Sequence, residues 1–282
     1  MRTDSAGFRN DRDYHGQKYV LVGDSFVAGV ADQSEIIGAI LRRDYNVDTY
    51  NLAVSGMGIL DYMRMIKAFR ERHGAEFRAV VFIFEGNDFD AFQEVPYNTQ
   101  LDEFIHFSRL PKVAQMYLSL LNRTSADMRT MIKLIEKRRK TGERLCPGDV
   151  TVRNIVGRNM GFLNSYIDVT KREHYQFPSD VEHALRSERA SISHIFFIPE
   201  KYRIYAQYDG ASKLPNAQWD CLKSLAVSLR IPCHNLTEPL VAASKKLIEK
   251  QQFTYWTDDS HLNVRGNTVV AAETARVLKE AN

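Results

Sequence analysis

The sequence predicts an α/β fold, a parallel sheet with helices on both faces. Three observations carry that prediction. Short apolar runs, each ended by small or polar turn residues, alternate with stretches that are apolar at helical spacing. The strongest runs are apolar at successive positions, as strands covered on both faces must be. The 282-residue chain is 44% apolar and 26% charged, a composition that can bury a substantial core.

The elements follow in order. After a polar lead, residues 18–23 (Lys-Tyr-Val-Leu-Val-Gly) form an apolar run that turns sharply at Gly23-Asp24-Ser25, and they are read as the first strand. Residues 34–45 place Ile36, Ile37, Ile40 and Leu41 on one side of a helix. A second strand near 47–54 meets Ser55-Gly56-Met57-Gly58, and an amphipathic helix over 62–72 follows. The third strand, 78–84, stops at Glu85-Gly86-Asn87-Asp88. Strands at 192–198 and 231–236 flank a helix near 218–229, and a last helix spans about 267–279. Between the third and fourth strands, residues 92–190 far exceed an ordinary connection of about 2–6 residues. Because 113–121 and 128–139 read as helical, this segment is expected to be a helical insertion or lid within a single domain.

Composition also excludes. A net charge of +3 gives no case for a nucleic-acid partner. Cys146, Cys221 and Cys233 are too widely spaced for a zinc site or a dense disulfide framework. They are free thiols or include one bridge. No run is apolar and long enough for a signal peptide or a bilayer span, so the chain as written reads as soluble. His194 and His234 lie on or beside strands and are read as packed histidines; His106, His174 and His183 lack metal-ligand spacing. No metal and no cofactor is expected. The basic run 133–144, with Lys137, Arg138, Arg139 and Lys140, reads as a solvated helix end.

In open parallel sheets reactive groups collect beyond the carboxyl ends of the strands. Three turns with small or polar residues fall there: Gly23-Asp24-Ser25-Phe26, Ser55-Gly56 and Gly86-Asn87-Asp88. Near the carboxyl terminus, Thr257-Asp258-Asp259-Ser260-His261-Leu262-Asn263 brings acid and imidazole close together. A serine hydroxyl needs an adjacent base, and the base needs a carboxylate to hold its tautomer. Ser25, His261 and Asp258 fit those three roles. The tetrahedral intermediate needs preorganised donors, for which the backbone N–H groups of Ser25 and Gly56 and the Asn87 side-chain amide are suited. Asp24 is read as a helix cap.

At these residues the chain resembles the SGNH (GDSL-like) hydrolases, whose four sequence blocks occur in this order. Gly23-Asp24-Ser25-Phe26 resembles the first block, with Phe26 where leucine is usual. Ser55-Gly56 resembles the glycine block and Asp258-x-x-His261 the last. In the third block Gly86 directly precedes Asn87, whereas many members have one residue between. The resemblance spans roughly 18–90 and 190–280, and the insertion matches no known pattern.

The resemblance implies a flavodoxin-like three-layer sandwich and a serine esterase or O-acyltransferase that forms an acyl-enzyme at Ser25. An acetyl or other short acyl group is expected, because the insertion mixes Arg109, Lys112, Arg123, Arg129 and Arg153 with aromatic residues and offers no long apolar run. The implied partner is a small-molecule or carbohydrate ester. The polar openings 7–11 and 198–201 resemble those of bacterial envelope members, which points to a periplasmic or exported protein. Two rivals are a lipase or thioesterase walled by Phe104, Phe107, Leu110 and Tyr117, and a non-catalytic glycan-binding module on the same fold.

Overall fold

The computed structural model describes residues 2–89, 150–211 and 213–280. Its centre is a five-stranded sheet built from β1 (Tyr19–Val22), β2 (Thr49–Asn51), β3 (Arg78–Phe84), β6 (Ile192–Ile198) and β7 (Cys233–Asn235). All neighbours pair in parallel, in the order β2-β1-β3-β6-β7. Counting central strands alone, this is the second-first-third-fourth-fifth order of doubly wound flavodoxin-like sheets. The expected α/β sandwich is therefore observed.

Alternate side chains of each strand enter opposite layers, so both faces are dry. Leu21, Val80, Phe82, Phe196 and Ile198 face one core with α2 (Ile37–Tyr45), α8 (Thr237–Ile248) and α9 (Val264–Glu280). Val20, Val22, Val81, Ile83, Ile195 and Phe197 face the other with α3 (Ile59–His73), α5 (Ser179–Glu188) and α7 (Ala217–Leu229). This two-sided burial explains the continuous apolar runs. α8 has no counterpart in the sequence reading. Its Pro239 stands in the first turn, where the missing N–H costs nothing.

The long segment before β6, expected as a helical insertion or lid, is described only in part. Residues 90–149, with the helices expected at 113–121 and 128–139 and the aromatic wall at Phe104, Phe107, Leu110 and Tyr117, lie outside the described residues. What is described begins with an antiparallel hairpin, β4 (Val150–Ile155) and β5 (Arg158–Leu163), followed directly by α4 (Asn164–Thr170). Val156 and Gly157 make its two-residue turn with φ of 50° and 83°. Two positive φ values match the twist of the flanking strands. The hairpin buries Ile155, Met160 and Phe162 in the first core. α5 is not part of a lid. It packs Val181 and Leu185 into the second core and ties Glu188 to Arg70 of α3, as an ordinary crossover helix does.

Cys221 and Cys233 are free thiols, and Cys146 falls outside the described residues. His194 and His234 pack together across β6 and β7, with Nδ1 and Nε2 3.1 Å apart. Among the described residues no cluster of side chains could hold a metal, and no helix is long and apolar enough to cross a membrane.

Candidate active site

Four chain segments converge beyond the carboxyl edge of the sheet. The first is the turn after β1. Asp24 accepts from the Phe26 N–H at 2.9 Å, the cap read from sequence, and starts the short helix α1 (Ser25–Ala28) with Ser25 at its first position. Phe26 is buried, stacks on Phe84 with centroids 3.9 Å apart, and lies 4.8 Å from the His261 ring. The Phe26 ring therefore backs the imidazole at an interplanar angle of 34°.

The second segment is the loop between β2 and α3. Gly56 has φ of 81°, and a Cβ there would meet nothing within 4 Å. Backbone conformation, not space, thus favours glycine. Neither the Gly56 N–H nor the Ser25 N–H is taken up by a hydrogen bond among the described residues.

The third segment follows β3. A Cβ on Gly86 would lie 2.4 Å from the Phe84 ring, so glycine lets the chain fold back over that ring and deliver Asn87. The Asn87 Nδ2 donates to Asp24 Oδ2 at 3.3 Å and to Asp88 Oδ1 at 3.2 Å, while its carbonyl oxygen accepts from Tyr166 of α4 at 3.3 Å. Asp88 also accepts at one oxygen from the Tyr62 hydroxyl (2.7 Å) and the Phe84 N–H (2.8 Å). Both carboxyls are buried. Burial, and for Asp88 also the neighbouring Asp24, raises both above the ordinary carboxylate range, although the donors pull the other way.

The fourth segment is the loop ahead of α9. His261 Nε2 lies 2.7 Å from Ser25 Oγ, across a separation of 236 residues. Its Nδ1 lies 2.5 Å from Asp259 Oδ1, which also accepts the His261 backbone N–H at 2.7 Å. A carboxylate only accepts, so Nδ1 carries the proton and Nε2 is left to accept from the serine. The hydrogen bond from His261 is the main cause that holds Asp259 below the usual carboxylate value. Here the structure departs from the sequence reading, which gave this place to Asp258. The side chain of Asp259 curls back onto the N–H two residues ahead and reaches the imidazole, and Asp258 makes no such contact.

Ser25 and His261 thus touch directly, and Asn87 is linked to Ser25 through Asp24 Oδ2. Asp259, not Asp258, contacts the imidazole, and Tyr166 enters from the segment read as an insertion or lid, in which the sequence reading named no residue of this site. Its signal was weak: an isolated tyrosine in a polar helix.

No family model matches the chain, and no curated protein matches it. Among solved structures it is similar to a protein assigned to the lipolytic G-D-S-L family from Desulfitobacterium hafniense DCB-2, at 14% identity and a TM-score of 0.41, covering 93% of this chain and 99% of that one. It is also similar to Axe2, an acetylxylan esterase from Geobacillus stearothermophilus, at 11% identity and a TM-score of 0.39, covering 93% of both chains.

Proposed function

We propose that this chain is a serine esterase of the SGNH (GDSL-like) type, with Ser25 as nucleophile, His261 as general base and Asp259 as the orienting acid. The observation that carries the reading is the pair of contacts on one imidazole, Nε2 to Ser25 at 2.7 Å and Nδ1 to Asp259 at 2.5 Å. Ser25 Oγ attacks the ester carbonyl as its proton passes to Nε2, and Asp259 stabilises the imidazolium without taking the proton. The Ser25 and Gly56 N–H groups and the Asn87 amide receive the oxyanion. For Asn87 this requires one of its two long hydrogen bonds to yield while the other braces it. Nε2 then protonates the departing alcohol. Attack by water or an acceptor hydroxyl on the acyl-enzyme returns the serine by the same proton path in reverse. Active-site labelling with a fluorophosphonate tests this: the parent is expected to react at Ser25, and Ser25→Ala is expected to be folded, unlabelled and inactive on nitrophenyl acetate. A folded Ser25→Ala protein with parental turnover overturns the reading, and an unreactive parent favours a non-catalytic binding module.

A short acyl group on a carbohydrate remains the favoured substrate class. In support, Trp256 stands 39% exposed on the acid–base loop, where a flat aromatic face suits a sugar ring. A groove of about 310 Å³ beside α4 is lined by Thr151, Arg153, Asn164, Asp168, Lys171 and Tyr202 together with Ile167, a mostly polar set. Each methylene buried by a longer acyl chain would need apolar wall worth about 0.8 kcal/mol. Over a series of nitrophenyl esters, kcat/KM is expected to peak at acetyl or propionyl; a steady rise through octanoyl favours the lipase reading.

A further inference from the structure

One buried cation near the site has no part in the chemistry above. Lys201 opens α6 (Lys201–Tyr205), directly after β6, and is 1% exposed. Lysine is almost never fully buried unless paired, and the amino end of a helix disfavours a positive charge. Burial accordingly drives its ammonium below the ordinary lysine value. Something specific must hold it there. Its Nζ donates to the backbone carbonyl of Asp259 at 2.8 Å and to that of Trp256 at 3.2 Å, and it sits 5.2 Å from the centre of the Phe162 ring. Both acceptors belong to the four-residue stretch that ends in the acid facing His261.

The base of this lysine is itself fixed. The buried Glu200 caps α6 by accepting from the Tyr202 N–H, and its own N–H donates to Glu85 at 3.0 Å. Glu85 is gripped by Nε and Nη2 of the Arg203 guanidinium and directly precedes Gly86-Asn87. A chain of buried charges therefore runs from the oxyanion turn after β3, through the start of α6, to the loop that carries Asp259. The charged groups facing Lys201 are Glu200 from its own helix and Asp258 and Asp259 from the loop.

We propose that Lys201 is the positioning residue of the acid–base loop: its ammonium pins the backbone of Trp256 and Asp259 and so sets the Asp259 carboxylate against His261. The inference rests on the Ser25–His261–Asp259 reading. Without the ammonium, two inward-facing carbonyls lose their donor and the loop must move to satisfy them. A misplacement of about 1 Å in a reacting group costs on the order of 10²-fold in rate.

The test is a double-mutant cycle with Asp259→Asn, followed by ester turnover and by the rate of fluorophosphonate labelling at Ser25. Lys201→Met alone is expected to lower both rates about 100-fold, with KM little changed. In the Asp259→Asn background the same change is expected to cost about twofold or less, the scatter of independent sites. Parental rates in folded Lys201→Met, or a full 100-fold loss in both backgrounds, overturn the proposal. Should Lys201→Met not fold, Lys201→Gln keeps one amide donor for the carbonyls; partial loss with the same non-additivity supports the assignment, and parental rates overturn it. A Ser25→Ala protein that still turns over ester strikes instead at the triad on which the inference rests, and the two failures are read from different variants.

Discussion

The two halves of the candidate site are built in opposite ways. The nucleophile half, Ser25 with Gly56 and Asn87, hangs on the ends of β1, β2 and β3 and is backed by the buried Asp24, Asp88 and Tyr62. The base half is not carried on a strand of the central sheet. Asp259 is 49% exposed at its side chain, and the loop is clipped by individual hydrogen bonds, among them the Trp256 N–H on the His261 carbonyl at 3.1 Å, the Gly161 N–H on the Thr257 carbonyl at 2.8 Å, and Lys201 on the Trp256 and Asp259 carbonyls. A group on a strand end is placed by the whole sheet, whereas a group on a clipped loop is placed by whichever hydrogen bonds reach it. The first half should therefore be sensitive to the loss of its own chemical groups, and the second also to the loss of residues that never touch substrate.

The largest expected effect separates the two aspartates of the loop. Asp259→Asn should lower turnover by about 10⁴-fold, because an amide can hold the wrong tautomer of the imidazole, while Asp258→Asn should stay near the parent. The reverse ranking in steady-state kinetics would return the acid to Asp258. In the strand-end half, Asn87→Ala should lower kcat by roughly 10²–10³-fold with little change in KM, the signature of a donor used in the transition state. An effect confined to KM would make Asn87 a binding residue.

Smaller effects concern stability and bear on the cost of the buried half. Asp88 keeps its proton in the fold to higher pH than in the unfolded chain, so its contribution is full below the unfolded value of 3.8 and is lost as pH rises. Urea unfolding of Asp88→Asn, compared with the parent, should therefore look more favourable at about pH 8 than at about pH 4. A pH-independent difference would mean that Asp88 is ionised throughout. The smallest effect lies far from the site, at the histidine pair. Burial, aided by His234, lowers His194 from 6.5 to about 4. Between those values the unfolded chain takes a proton that the fold refuses, so stability is lost as pH falls through this window. His194→Gln should flatten that loss; an unchanged acid slope assigns it to other groups.

The same contrast governs what could be read from the sequence. Strand positions and the turns at Ser25, Gly56 and Asn87 were legible because a run buried on both faces and the glycine-bearing turn that ends it are local patterns. The choice between Asp258 and Asp259 was not, since both are adjacent carboxylates and the loop's path alone decides which one folds back on His261. Lys201 was illegible for a different reason: it closes the polar opening 198–201, and only the carbonyls of a segment 55 to 58 residues away reveal its burial. The β4–β5 hairpin did leave a signal in Val156-Gly157, between Ile155 on one side and Met160 and Phe162 on the other. That signal was lost within a segment read as helical from its stretches at 113–121 and 128–139.

The 236 residues between Ser25 and His261 also set an order of events during synthesis. At about 5–20 residues per second, the serine leaves the ribosome roughly 12–47 s before its base does. Through that interval the nucleophile's strand can form while its hydroxyl has no proton acceptor at Nε2. Under the proposed mechanism the nascent chain is chemically silent until α9 docks on α2 and carries the imidazole into place. Acquisition of activity is thus a late, tertiary event, and a pulse of fluorophosphonate given to stalled chains of increasing length would time it.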